Sequence, residues 1–263
     1  MQNTHMLVID PQEDFCNPQG ALFVPGADSD MERLATFVNR VGDKIRQIHC
    51  TLDQHNLFDV AHPIAWVDSS GNHPTPFTII DDQGLSNWKA SKPGLQKRFE
   101  IYVDELKSLG RNPLCIWPPH CLIGSSGSNV VESLFEAFNN WCLSKRLTIN
   151  WVAKGSNPLT EHYSAIVADV PDANDPGTQL NVNLIQLTET ADTILLAGEA
   201  GSHCLKWTVT DIANNFNESS IKKFVLLTDA TSPVPGFESH YEQFVNDLTA
   251  RGMQVATTTD WMN

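Results

Sequence analysis

Positive charge is scarce in this chain: 17 Lys and Arg stand against 31 Asp and Glu over 263 residues, a formal net charge of -14. A surface that acidic repels phosphate, which argues against nucleic acid and anionic membrane as partners. No stretch approaches the roughly 20 apolar residues that a membrane span requires. The first fifteen residues carry Asp10, Glu13 and Asp14 but neither Lys nor Arg, unlike a secretion signal. Cys-x-x-Cys pairs are lacking, and the six cysteines are scattered along the chain, which favours reduced thiols in a cytoplasm over a disulfide scaffold. Repeats and low-complexity tracts are missing as well. What is present is 41% hydrophobic residues, enough for a sizeable core.

The apolar run His5-Met6-Leu7-Val8-Ile9 reads as a buried strand that delivers Asp10 at its carboxyl end, where Pro11 halts it. Leu34, Phe37, Val38, Val41, Ile45 and Ile48 recur at helical spacing after Ser29 and Asp30, two N-cap candidates, so a helix is predicted over 31–47. Strands are expected over 48–52, 114–117, 149–153, 193–198, 224–228 and 254–257, alternating with helices over 94–109, 128–145, 203–216 and 239–251. That alternation predicts an α/β fold, a doubly wound, mostly parallel sheet of about six strands with helices on both faces, in three α/β/α layers. A single domain over 1–263 is expected, with an insertion at about 56–112 where Gly, Pro, Asp and Ser break the rhythm.

Open parallel sheets bind ligands beyond the carboxyl ends of their strands. That rule selects Asp10, Asp53 with His55, His120, Lys154, Cys204 and Asp229, all residue types that do chemistry. Cys204 follows an apolar strand and a run of small residues and opens a helix, so the helix N-terminus is expected to lower its thiol pKa. Asp10 and Lys154 reach the same rim, where an ammonium could sit between a carboxylate and a thiolate. Asp53 and His55, two residues apart on extended backbone, point to one side, and His120 could supply a third metal ligand. One carboxylate with two imidazoles suits Zn²⁺, with Fe²⁺ and Mn²⁺ as alternatives, and leaves positions open. His203 adjoins Cys204 and is read as pocket lining. Phe15 is core or pocket wall, Asp229 is a cap or supporting residue, and His62, His73, His162 and His240 read as solvated or hydrogen-bonded.

Together these stretches resemble the nicotinamidase branch of the isochorismatase-like cysteine hydrolases. The resemblance runs through Val8-Ile9-Asp10-Pro11-Gln12-Glu13-Asp14-Phe15, Val24-Pro25-Gly26-Ala27, Asp53-Gln54-His55, Trp117-Pro118-Pro119-His120-Cys121, Ala153-Lys154-Gly155, Tyr163-Ser164, Gly198 to Cys204, and Leu226 to Ala230. It implies a catalytic triad of Asp10, Lys154 and Cys204 and a metal held by Asp53, His55 and His120. It also implies a cis peptide at Glu199-Ala200, an oxyanion hole made by the N–H groups of Ala200 and Cys204, and substrate contacts from Phe15, Gln54, Tyr163 and His203. The implied substrate is a small amide, hydrolysed through a thioester on Cys204, by a protein that works as a homo-oligomer. Three positions depart from the pattern. Gln54 replaces an aromatic residue, His203 replaces the aromatic before the nucleophile, and Glu199 stands where a small apolar residue is usual. A relative acting on another small amide or a carbamoyl compound, as N-carbamoylsarcosine amidohydrolases do without a metal, and a non-catalytic binding relative are the competing expectations; a redox thiol is a third.

Overall fold

Every side chain from Thr4 to Ile9 and from Thr193 to Gly198 is buried, so the two strands they form must be covered on both faces. The computed structural model describes residues 3–261 and shows how the cover is built. The first half of the chain supplies β1 (Thr4–Ile9), a short α1 (Glu13–Cys16), α2 (Ala27–Val41), β2 (Ile45–Asp53), β3 (Trp66–Val67), β4 (Ile79–Ile80), β5 (Lys89–Ala90), α3 (Gln96–Ser108) and β6 (Leu114–Cys115). The second half supplies α4 (Glu132–Lys145), β7 (Asn150–Lys154), α5 (Val182–Glu189), β8 (Thr193–Gly198), α6 (Cys204–Asn215), β9 (Phe224–Leu227), α7 (Glu238–Ala250) and β10 (Gln254–Ala256).

Six strands form the central sheet in the order β10-β9-β8-β1-β2-β7, all parallel. The chain runs outward from β1 through β2 to β7, then returns to the other side of β1 and runs outward again through β8, β9 and β10. The order therefore reverses between β1 and β8, which puts the crevice of a doubly wound sheet beside Asp10 and the start of α6. Gly198 closes that seam: a Cβ on it would lie 2.1 Å from the Ile9 carbonyl oxygen, and its φ of 106° is one that glycine takes freely. Helix α2 packs beside α4, and α6 beside α7.

Three expectations need correction. The first long helix covers Ala27–Val41, not 31–47, because the chain turns at Gly42 and Ile45 and Ile48 belong to β2; their spacing of three continues the helical period by coincidence. The segment 114–117 contributes only Leu114–Cys115, which pair antiparallel with Ile79–Ile80 outside the main sheet. Helix α5 lies between the strands expected at 149–153 and 193–198, where no helix was expected, and Asn181 caps it by accepting from Leu184 N–H. Within 56–112, Trp66, Phe99 and Tyr102 are fully buried and join the same apolar cluster as β1 and β8. No helix among the described residues is long and apolar enough to cross a membrane.

Candidate active site

Asp10 leaves β1 with φ 43°, in the left-handed region that Asp tolerates better than most residues. Thr51 of β2 holds it there, accepting from the Asp10 N–H at 3.0 Å and donating its hydroxyl to Oδ1. Beside it, the last residues of β2 and β7 are register partners, so Asp53 and Lys154 emerge side by side. Lys154 Nζ lies 2.9 Å from Asp10 Oδ2, 2.9 Å from Asp53 Oδ1 and 3.6 Å from Cys204 Sγ. All four side chains are buried. The Gln12 amide clamps the backbone of Asp53 from both sides, donating to its carbonyl and accepting from its N–H, each at 2.7 Å.

Electrostatics follow from that geometry. Burial drags the Lys154 ammonium down, but Asp10, Asp53 and the thiol outweigh it, and its pKa ends well above the ordinary lysine value. Asp53 feels burial upward and His55 with Lys154 downward, and stays well below the carboxylate range. Asp10 ends raised, because burial exceeds the pull of Lys154. Cys204 corrects an expectation: although it opens α6, burial pushes its thiol well up, and Lys154 only partly offsets this. At rest Cys204 is therefore held as a thiol, with the Asp10 carboxylate in hydrogen-bonding reach of it.

A cluster of imidazoles adjoins. Ligand atoms of Asp53, His55 and His120 lie within 4.8 Å of one another. His55 Nδ1 faces Asp59 Oδ2 at 3.1 Å and His120 Nδ1 donates to the Pro118 carbonyl at 2.9 Å, which leaves both Nε2 atoms turned toward Asp53 Oδ2. Orientation of a histidine by a hydrogen bond on its second nitrogen is a common feature of metal sites. Sequence reading missed two neighbours. Glu161 places Oε1 3.9 Å from His55 Nε2 while its buried Oε2 has no partner. His62, read as solvated or simply hydrogen-bonded, is fully buried, its ring 5.3 Å from His55 and 5.5 Å from His120, with Nε2 unpartnered. Orphaned buried acceptors beside a carboxylate and two imidazoles fit a divalent cation.

A small pocket opens onto this machinery, lined by Phe15, Trp117, Tyr163, Ala200, His203 and Val234, with Asp53, His120, Glu161 and Cys204 in its wall. Tyr163 OH accepts from Trp117 Nε1 at 2.9 Å, and the His203 ring stands edge-on to both aromatics. Burial holds His203 neutral, its pKa down to about 3, and the Ser202 hydroxyl pairs with Nδ1. The Glu199-Ala200 peptide is cis, and the N–H groups of Ala200 and Cys204 donate to nothing among the described residues. Gln54 is corrected: it lines a separate outer groove of about 1200 Å³ with Trp151, away from the pocket. Asp229 also lies elsewhere, accepting from Thr258 N–H and hydroxyl beyond β9. The Glu199 side chain points away from the pocket to Ser232.

No family model matches the chain. Among curated proteins, the nicotinamidase of Saccharomyces cerevisiae is 24% identical over 250 residues, covering 95% of this chain and 97% of that one. Among solved structures, a nicotinamidase-pyrazinamidase of Acinetobacter baumanii superposes with a TM-score of 0.67 at 19% identity, covering 100% of this chain and 99% of its own. The yeast nicotinamidase bound to the inhibitor nicotinaldehyde gives 0.65 at 19% identity over 97% and 99% of the two chains. The pyrazinamidase of Pyrococcus horikoshii in complex with zinc gives 0.58 at 18%, over 97% and 99%. The expected fold is the fold of these proteins, and the resemblance extends over almost the whole chain.

Proposed function

We propose that this chain is a metal-dependent cysteine amidohydrolase of the nicotinamidase type, hydrolysing nicotinamide to nicotinate and ammonia. The single observation that carries the reading is Lys154 Nζ at 2.9 Å from both Asp10 and Asp53 and 3.6 Å from Cys204, beside the Asp53, His55 and His120 donor set. The yeast and Acinetobacter relatives, a nicotinamidase and a nicotinamidase-pyrazinamidase, support the same chemistry.

Cys204 Sγ attacks the carboxamide carbon while its proton passes to Asp10, whose raised pKa suits a base that must later act as an acid. The Ala200 and Cys204 N–H groups receive the developing oxyanion; losing one such donor typically costs about 3 to 4 kcal/mol. Asp10 returns the proton to the departing nitrogen, ammonia leaves, and a thioester to Cys204 remains. Water, deprotonated by Asp10, cleaves the thioester; the carboxylate product departs and the sulfur regains its proton. Lys154 keeps the carboxylates of Asp10 and Asp53 in place throughout without giving up its charge. Asp53, His55 and His120 would hold a divalent cation, Zn²⁺ in the first instance, with Glu161 and His62 at hand; its chemistry there is to bind a ring nitrogen or polarise a polar group of the substrate. Phe15, Trp117 and Tyr163 provide an aromatic slot for a flat ring, with neutral His203 as its polar side. The proposed setting is the cytoplasm, and the proposed active form a homo-oligomer.

Ammonia release from nicotinamide, pyrazinamide and small carbamoyl compounds, with and without chelator, is the test. Chelator-sensitive turnover of nicotinamide is expected. Turnover confined to carbamoyl compounds and indifferent to chelator would replace the reading with the other amidohydrolase branch.

A further inference from the structure

Glu199 is fully buried, yet it takes no part in the chemistry above. Its Oε2 accepts from the Ser232 N–H at 3.1 Å, and its Oε1 has no donor among the described residues. The buried carboxyl group of Asp30, on α2, lies within hydrogen-bonding reach. Asp30 is itself engaged by the Ser232 hydroxyl at 2.6 Å and by the Arg33 guanidinium. Two buried carboxyl groups in contact cannot both hold a negative charge cheaply, and one shared proton resolves the conflict. Arg33 pairs with Asp30, so the proton falls to Glu199.

The loop that Glu199 grips also grips the nucleophile turn. Gly201 N–H donates to the Ser232 carbonyl at 2.9 Å, and Val234 N–H to Ser202 Oγ at 3.0 Å. A Cβ on Gly201 would meet Tyr241 at 2.8 Å and Thr231 Oγ1 at 2.9 Å, so the turn has no slack. Ser232 is thereby tied to the turn that carries Ala200 and Cys204.

We propose that Glu199, held as a neutral carboxylic acid donating to Asp30, is a positioning residue that latches the nucleophile turn, and that loss of its proton releases the latch. The inference rests on the reading of Cys204 as the nucleophile. Burial and Asp30 push the Glu199 carboxyl well above the carboxylate range, against the Ser232 N–H and Arg33. The titratable groups facing it are Asp30 and Arg33 from α2, Cys16 from α1 and Tyr241 from α7. Burial raises the Cys16 thiol and lifts the Tyr241 phenol to about 12, so neither brings negative charge near neutral pH.

The experiment compares the parent full-length chain with Glu199→Gln and Asp30→Asn, by infrared spectroscopy and by the rate of Cys204 alkylation with iodoacetamide, from neutral to strongly alkaline pH. Gln keeps an acceptor for Ser232 and a donor for Asp30 but has no proton to lose. The parent is expected to show a protonated-carboxyl band at neutral pH that Glu199→Gln lacks. At the pH where this band vanishes, the ratio of variant to parent alkylation rates should change by about tenfold, the equivalent of about 1.4 kcal/mol in turn geometry. In Asp30→Asn the band should vanish at lower pH, since the facing charge is gone; this arm stands even if Glu199→Gln does not fold. Identical bands in parent and Glu199→Gln, or a ratio that stays flat through the transition, would overturn the proposal. Neither readout requires turnover, so a failure of the nicotinamidase reading registers separately, in the ammonia assay.

Discussion

The same three strands, β1, β2 and β7, carry two buried polar networks. Toward their amino ends, His5 Nδ1 meets His49 Nε2 at 3.1 Å and the Asn150 amide donates to His49 Nδ1 at 3.0 Å. At their carboxyl ends, Asp10, Asp53 and Lys154 meet within 2.9 Å contacts. Burial keeps the first network uncharged, with His49 pushed down to about 4 and His5 lowered as well. The second is ionic, because each charge has an opposite neighbour. Neutral hydrogen bonds complete themselves and leave nothing over for chemistry. The ionic set abuts a thiol and a pocket, so its charges are available to a reaction. On the proposed reading, reactivity comes from unfinished partnering, not from polarity as such.

Cys204→Ala attacks the reactive network alone and carries the largest expected effect. Turnover should fall by at least about 10⁴-fold, as removal of a nucleophile does, while the melting temperature holds; residual activity above about a hundredth of the parent would end covalent catalysis by this thiol. Lys154→Met leaves two buried carboxylates uncompensated, so both turnover and stability should suffer, the latter by about 3 to 5 kcal/mol in denaturant unfolding. A variant as stable as the parent would show that the ionic network is not bound as tightly as its distances state.

The neutral network makes its own demand on pH. The folded His49 has its pKa lowered from 6.5 to about 4, so the unfolded chain takes up the proton first as pH falls, and stability is lost through that window. The loss from this group amounts to about 3 kcal/mol, and His49→Gln should remove it from the pH dependence of unfolding while leaving turnover within about threefold of the parent. An unchanged acid profile in His49→Gln would place the sensitivity elsewhere. Gln54→Trp places an aromatic residue in the outer groove, which Gln54 lines, and not in the pocket that Asp53 borders. KM and kcat should move by no more than about twofold, on the scale of surface substitutions; a larger change in KM would bring the outer groove into substrate binding.

The residues at the strand ends were legible because a strand that stops abruptly, as β1 does at Pro11, marks where its next side chain is delivered. Asp10, Asp53, Lys154 and Cys204 all follow this logic, and the structure gathers them. His120 came from the Trp-Pro-Pro-His stretch and also arrives. Glu161 and His62 gave no comparable signal: both lie on irregular chain, where no period indicates direction, and only the approach of 155–162 and 58–62 to the end of β2 reveals them. Gln12 and Thr51 were silent for a different reason, since a buried amide or hydroxyl that supports a neighbour looks in sequence like any polar residue. The helix placed at 31–47 failed where a helical spacing ran into a strand across Gly42.

Apolar periodicity, the strand-helix alternation and the residues at strand ends are local properties of the chain, and the sequence by itself determined them. The order of the six strands, the reversal between β1 and β8 and the protonation states of the gathered groups were decided only by tertiary structure. A pKa depends on burial and on charges a few ångströms away, and those neighbours come from distant parts of the chain. That is why the Cys204 thiol, expected to be acidic at a helix start, is instead pushed upward by burial.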